Sequence, residues 1–177
     1  LTGFAAREQG DKASVVPIAL LGGAVFFIAA SVQQIGIVEA TVTNTGFLTA
    51  LYVVVTPFIA WLAQRKPQPS AIWAGAGLAF AGTWLLSGGS FAGFSRGDWL
   101  ITLSSVFWSV FIVITGVSGK HGAPMTYTCV QFAVVAVLGL TSAAVFEPIS
   151  LPAITAAILP LAFVGVLASA FVYAVLA

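Results

Sequence analysis

Charge is what this sequence has least of. Its 177 residues include six Lys or Arg and five Asp or Glu, 6% of the chain, while 60% is hydrophobic. A soluble domain carries about 25% charged residues. So few charges cannot solvate the surface of a water-soluble fold of this length, which excludes that class. Disorder is excluded for the opposite reason, an excess of apolar side chains. One cysteine, Cys129, allows no internal disulfide. One histidine, His121, sits beside Lys120 in a break between apolar runs and reads as a solvated loop residue. No catalytic or metal-ligating constellation is visible, so the chain is expected to be neither an enzyme nor a cofactor carrier. A net charge of +1 gives no sign of a nucleic-acid partner.

What remains is the membrane. The mean hydropathy is +1.10, and every charge falls in a short break between apolar runs. The complete runs cover about 15–38, 44–64, 71–87, 99–117 and 125–146, and a sixth starts near Ile158. Residues 1–5 read as the tail of another span. About 20 apolar residues cross a bilayer. Backbone groups in hydrocarbon must pair within their own segment, so each run is expected as a helix. The fold class is therefore an all-α polytopic membrane protein with six transmembrane helices, and the lipid bilayer is its first partner. The first complete run is too long for a signal-peptide core and lacks a small-residue cleavage site. The chain opens at Leu1 rather than Met and stops inside an apolar run, so both ends are expected to lie within a longer protein.

Orientation follows from Lys and Arg. Alternate loops share a side. The loops at 6–14, 65–70 and 118–124 hold five of the six bases, and the opposite side holds only Arg96. The first set is expected to be cytoplasmic, with Glu39, Asp98 and Glu147 outside.

An internal repeat is also visible. Val15-Val16-Pro17-Ile18-Ala19-Leu20-Leu21-Gly22 aligns with Ile158-Leu159-Pro160-Leu161-Ala162-Phe163-Val164-Gly165, with Pro, Ala and Gly coinciding at an offset of 143. Chance matching among apolar helices is the competing explanation, and Pro near a helix start has local causes of its own. Taken as a repeat, the offset implies two five-helix copies, of which this chain holds the last three helices of the first and the first three of the second. Five is odd, so the copies would face opposite ways, an arrangement common in transporters with a midplane site.

Several stretches carry a family resemblance. They are Gln34-Ile35-Gly36-Ile37, the run Thr43-Asn44-Thr45-Gly46-Phe47-Leu48-Thr49-Ala50-Leu51-Tyr52-Val53-Val54-Val55-Thr56-Pro57, the Gly/Ala-rich Gly75 to Leu86, Gly97-Asp98-Trp99 with Val106-Phe107-Trp108-Ser109, Gln131-Phe132, and Phe146-Glu147. In order and spacing they resemble EamA-type transporters of the drug/metabolite transporter superfamily, over most of the chain. The resemblance implies ten helices in two inverted repeats, divided here into 1–97 and 98–177, roughly helices 3–8. It implies alternating-access secondary transport, in the export direction, of small metabolites such as amino acids or drugs across a bacterial inner membrane. A nucleotide-sugar or phosphate-ester carrier of the same superfamily is the runner-up. It would call for basic residues at the cavity, which these spans lack. A membrane-embedded transferase would need His, Asp or Glu clustered at a helix end.

No span, as bounded above, contains an ionisable acid, base or histidine, which argues against a proton relay inside them. The polar candidates are therefore uncharged. Thr45, Thr49, Tyr52 and Thr56 recur at helical spacing and fall within about 60° of one another. Either this stripe lines a cavity, or the Thr hydroxyls bond back to the i−4 carbonyls. Pro57 removes a backbone hydrogen bond from the same helix. Ser104, Trp108, Phe111 and Thr115 share a face, with Trp108 at mid-depth, away from the interfacial belt where tryptophans collect. Packing and substrate contact both account for it. Gln131 must find a partner inside its span. Thr49, Tyr52, Trp108, Gln131 and, more weakly, Tyr173 are the expected lining for a small-molecule substrate. Gln34 and Asn44, near outer helix ends with Gln33, are candidates for the cavity rim or gate, or are simply solvated at the interface. Small-residue pairs in Gly75–Gly82 are expected to bring helices together within the chain rather than at a homodimer seam, and a monomer is expected before a dimer.

Overall fold

A computed structural model describes residues 10–65, 68–86, 93–146 and 151–163. Every regular element among them is helical. In chain order they are α1 (Lys12–Ile37), α2 (Val42–Ala50), α3 (Tyr52–Gln64), α4 (Ser70–Leu86), α5 (Arg96–Ser118), a 3-10 turn (Gly119–His121), α6 (Pro124–Phe146) and α7 (Leu151–Ala162). The chain divides into two compact units, residues 1–138 and 139–177. Of the second unit, the described part is the end of α6 and α7. Helix α7 opens at Leu151, seven residues ahead of the start expected from the apolar run. Among the described residues, four helical stretches are long and apolar enough to cross a membrane: Lys12–Ile37, Val42–Gln64, Arg96–His121 and Pro124–Phe146.

The helix boundaries follow from local chemistry. Asp11 caps α1 by accepting from the Ala13 and Ser14 amides. Thr41 caps α2 through the Asn44 amide. Ser95 and Asp98 form a reciprocal capping box at the start of α5, which satisfies amides that a helix start leaves unpaired. Gly122, at φ +66°, ends the 3-10 turn in the left-handed region that glycine tolerates best.

Helix α1 packs chiefly on α5, antiparallel to it. At one end Gly36 meets Gly97. A Cβ on Gly36 would lie 2.8 Å from Ile101 Cγ1 and 2.9 Å from the Gly97 carbonyl oxygen. At the other end Gly10 lies against the backbone of His121 and Gly122. Gly10 and the His121–Gly122 turn thus meet at one end of the helix pair, with Glu39 and Arg96 at the other, their charged atoms 4.0 Å apart. Helix α6 closes on α1 through Gly22, which faces the Tyr127 hydroxyl, and Gly23, which faces Val134 and the Gln131 carbonyl. Val15, Ala19, Ala123 and Tyr127 form the buried cluster at this end.

Small and hydroxylic residues dominate this interior. Ile101, Val15, Ser104, Ser105 and Ser109 are its largest fully buried side chains. The bulky aliphatics lie outside: Leu62, Leu78 and Leu140 are all largely exposed. That inversion suits a lipid solvent, where close backbone approach, rather than oil-like burial, holds helices together. The glycines of α4 do not serve this purpose here, contrary to the expectation from their spacing, although Ala76 between them is buried. A Cβ on Gly75, Gly77 or Gly82 would meet nothing within 4 Å. Small-residue spacing marks a helix face that permits close approach, but it does not say which neighbour, if any, uses it.

Candidate functional site: a polar seam between three helices

The seam runs where α1, α2 and α5 meet. Gln33, one turn from the end of α1, stands at its centre. Its amide nitrogen donates to Thr49 Oγ1 on α2 at 2.9 Å. Its amide oxygen accepts from Trp108 Nε1 on α5, also at 2.9 Å. One side chain therefore satisfies polar groups on two other helices, where each would otherwise be costly in an apolar surround.

An aromatic wall flanks this amide. Phe26, two turns below Gln33 on α1, meets Trp108 edge to face with centroids 5.1 Å apart, and Phe111 at 5.2 Å. Phe132 of α6 approaches Phe26 at 6.1 Å. Such edge-on contacts are favoured by the ring quadrupoles and fix ring orientation. Trp108 is half-buried rather than enclosed, so its ring is both packed and accessible.

Toward the end that holds Glu39 and Arg96 the seam continues to a carboxylate. Asp98 Oδ1 accepts from Asn44 Nδ2 at 3.0 Å, joining α5 to the first turn of α2. Its Oδ2 accepts from the Ser95 amide and hydroxyl at 2.8 and 3.0 Å. Asp98 is only 3% exposed. Toward the other end, the single Ser109 hydroxyl proton is shared between the Tyr52 carbonyl at 3.1 Å and the Ser105 carbonyl at 2.9 Å. The Tyr52 carbonyl also accepts from Thr56 Oγ1 at 2.5 Å. Below this point Tyr52, Thr56, Pro57, Gln68, Ile72 and Ile112 line an open, mostly apolar groove of about 340 Å³ between α3, α4 and α5.

The structure brings Thr49 and Trp108 together through Gln33, and Asn44 to Asp98. Tyr52 lies half-buried one turn on from Thr49, at the head of the groove. Gln131 is buried, but on the α1–α6 contact; no hydrogen bond joins it to Gln33, Thr49 or Trp108 among the described residues. Gln34 is exposed. Tyr173 lies outside the described residues. The threonine stripe divides between its two readings. Thr45 and Thr56 bond back to the carbonyls of Thr41 and Tyr52, whereas Thr49 turns to a neighbouring helix.

Two residues of the seam carry more than their sequence position suggested. Gln33, read as a residue near the outer end, is the hub. Asp98, expected just outside the apolar run at 99–117, lies inside α5 and is buried. The Ser95-x-x-Asp98 spacing is a capping-box signature that places Asp98 one turn inside a helix. Among the described residues, no group of three or more His, Cys, Asp or Glu could hold a metal ion.

Fold and seam together define a class: a multi-span helical membrane protein with an uncharged amide–indole–hydroxyl cluster between its helices. Comparison with known proteins adds one relative. Over 92 residues the chain is 35% identical to a protein of Archaeoglobus fulgidus described as an uncharacterized transporter. The match takes in 52% of this chain and 29% of that protein, so the chain spans well under two thirds of its relative's length. No protein-family model and no solved structure matches the chain.

Proposed function

We propose that this chain forms part of a secondary transporter of the EamA type that moves small metabolites, such as amino acids or drugs, by alternating access. The observation that carries the reading is the Gln33 amide, held between Thr49 and Trp108 where three helices meet. A helix pair in lipid packs more cheaply through glycine than through a buried amide. An amide with its indole and hydroxyl partners, walled by Phe26 and Phe111, suits a solute that offers both hydrogen-bonding groups and an apolar body. The named relative supports transport as the general role.

In this reading, Thr49, Tyr52, Trp108 and Gln131 line the path, with Tyr173 as a weaker contributor, and Asn44 and Gln34 stand at its outer rim. Residues 1–97 and 98–177 belong to successive inverted repeats of a ten-helix protein, and the loops at 6–14, 65–70 and 118–124 face the cytoplasm of a bacterial inner membrane. Export is the proposed direction. The test is a transport assay on the intact protein in proteoliposomes against an amino-acid panel. Thr49→Ala and Tyr52→Phe should change the transport kinetics while leaving membrane insertion intact. Kinetics identical to the unsubstituted protein would remove these residues from the path.

A further inference from the structure

The stretch Val42–Gln64 is long enough to span, yet it is two helices. The ladder tightens at Leu51. Its amide bonds to the Leu48 carbonyl at 3.3 Å, and its own carbonyl accepts from both Val54 and Val55, at 2.9 and 3.0 Å. The Leu51–Leu48 and Val54–Leu51 bonds are of the i→i+3 kind, which in mid-helix marks a joint, while the Val55 bond keeps the ordinary i→i+4 spacing. No side chain caps the joint on the α3 side.

The two halves are held differently. Below the joint, α3 is tied by Ser109 to the Tyr52 carbonyl, by the buried Pro57, and by Phe58, whose ring meets Trp73 of α4 at 4.5 Å. Each half buries one residue, Leu48 in α2 and Pro57 in α3, but above the joint α2 has no ring contact of the Phe58–Trp73 kind among the described residues. Val42 is 92% exposed, and a Cβ on Gly46 would meet nothing within 4 Å. Two side-chain hydrogen bonds tie α2 to its neighbours: Asn44 to Asp98 in its first turn, and Thr49 to Gln33 near the joint. Those two polar ties fix the position of α2 on α1 and α5 beside the packing of Leu48.

We propose that the Asn44–Asp98 hydrogen bond is a releasable latch on α2. When it is made, α2 lies on α5 and Thr49 reaches Gln33. When it breaks, α2 pivots about Leu51 as a short rigid lever while α3 stays docked, and Thr49 is carried off the Gln33 amide. Asp98 suits the fixed side of such a latch because the Ser95 box holds its second oxygen independently of Asn44. The carboxylate keeps its orientation when Asn44 leaves. The latch gives the transport reading its moving part on this side, but it is a statement about α2 that stands or falls separately.

The experiment uses the intact protein with Cys129→Ser and two pairs of spin-labelled cysteines. Val42→Cys with Trp99→Cys reports α2 against α5. Val53→Cys with Val106→Cys reports α3 against α5. All four positions are exposed. Asn44→Ala and the bulkier Asn44→Leu both remove the latch and leave the Ser95–Asp98 box untouched. Each is expected to add a second, longer Val42–Trp99 separation while the Val53–Val106 separation stays single and unchanged. An unchanged Val42–Trp99 separation would overturn the latch, as would a shift of both pairs together. The readout needs no substrate, so failure of the latch and failure of the transport reading are seen in different assays.

Discussion

Trp108 and Gln33 lie 75 residues apart in sequence, yet the indole N–H donates to the amide oxygen at 2.9 Å across the α1–α5 contact. The same amide donates to Thr49, so a single side chain pins three helices at one depth. Gln33→Leu keeps most of the volume and removes both bonds. The Trp108 N–H and the Thr49 hydroxyl then lose their partner, at a cost of about 1–3 kcal/mol together. A lower midpoint of thermal unfolding in detergent checks this. Trp108→Phe, which retains the edge-on contacts to Phe26 and Phe111 but loses the donor, is expected to cost less than Trp108→Ala.

The glycines make a sharper contrast. Gly36→Ala and Gly97→Ala each place a methyl against backbone or Ile101 at 2.9 Å or less. Helix α1 must then back away from α5, and overpacking of this kind costs about 1–3 kcal/mol. Gly46→Ala and Gly77→Ala enter open space, and the better helix propensity of Ala favours them by up to about 1 kcal/mol. Thermal-shift measurements on the four variants should separate into two groups.

At the start of α1, Asp11 gives a pH prediction. The Ser14 hydroxyl and amide hydrogen bonds hold the Asp11 carboxyl below its ordinary value of 3.8. A carboxyl lowered in the folded state contributes stability that is complete above its unfolded value and fades as the pH falls through the folded one. Carboxyl-carbon NMR should show an Asp11 midpoint below 3.8, and Ser14→Ala should move that midpoint upward.

The sequence made the membrane class and the boundaries of the first five runs legible to within a few residues, because the bilayer demands long apolar helices and leaves charge only between them; the start of α7 lies seven residues ahead of the expected one. Thr49 and Trp108 were legible for a related reason: a polar or amphipathic group at mid-depth on a regular face needs a partner. Gln33 was not, because distance from a helix end says how deep a residue lies, not what stands opposite it. Asp98 was hidden by counting where the apolar run began rather than where the cap lay. The short helix α4 shows the converse. Its glycines carry the pattern of a packing face, while the glycines that pack, Gly22, Gly23, Gly36 and Gly97, form no such run.

The central claim is that the seam around Gln33 borders an aqueous path. Thr49→Cys in a Cys129→Ser background, exposed in sealed vesicles to a charged, membrane-impermeant thiol reagent, tests it most directly. Ile28→Cys serves as the reference, since Ile28 lies mid-way along α1 on its exposed apolar face. The cysteine at position 49 is expected to react well ahead of the one at position 28, and a transported solute is expected to slow it. Equal rates at the two positions, both at the level of lipid-buried thiols, would contradict that claim.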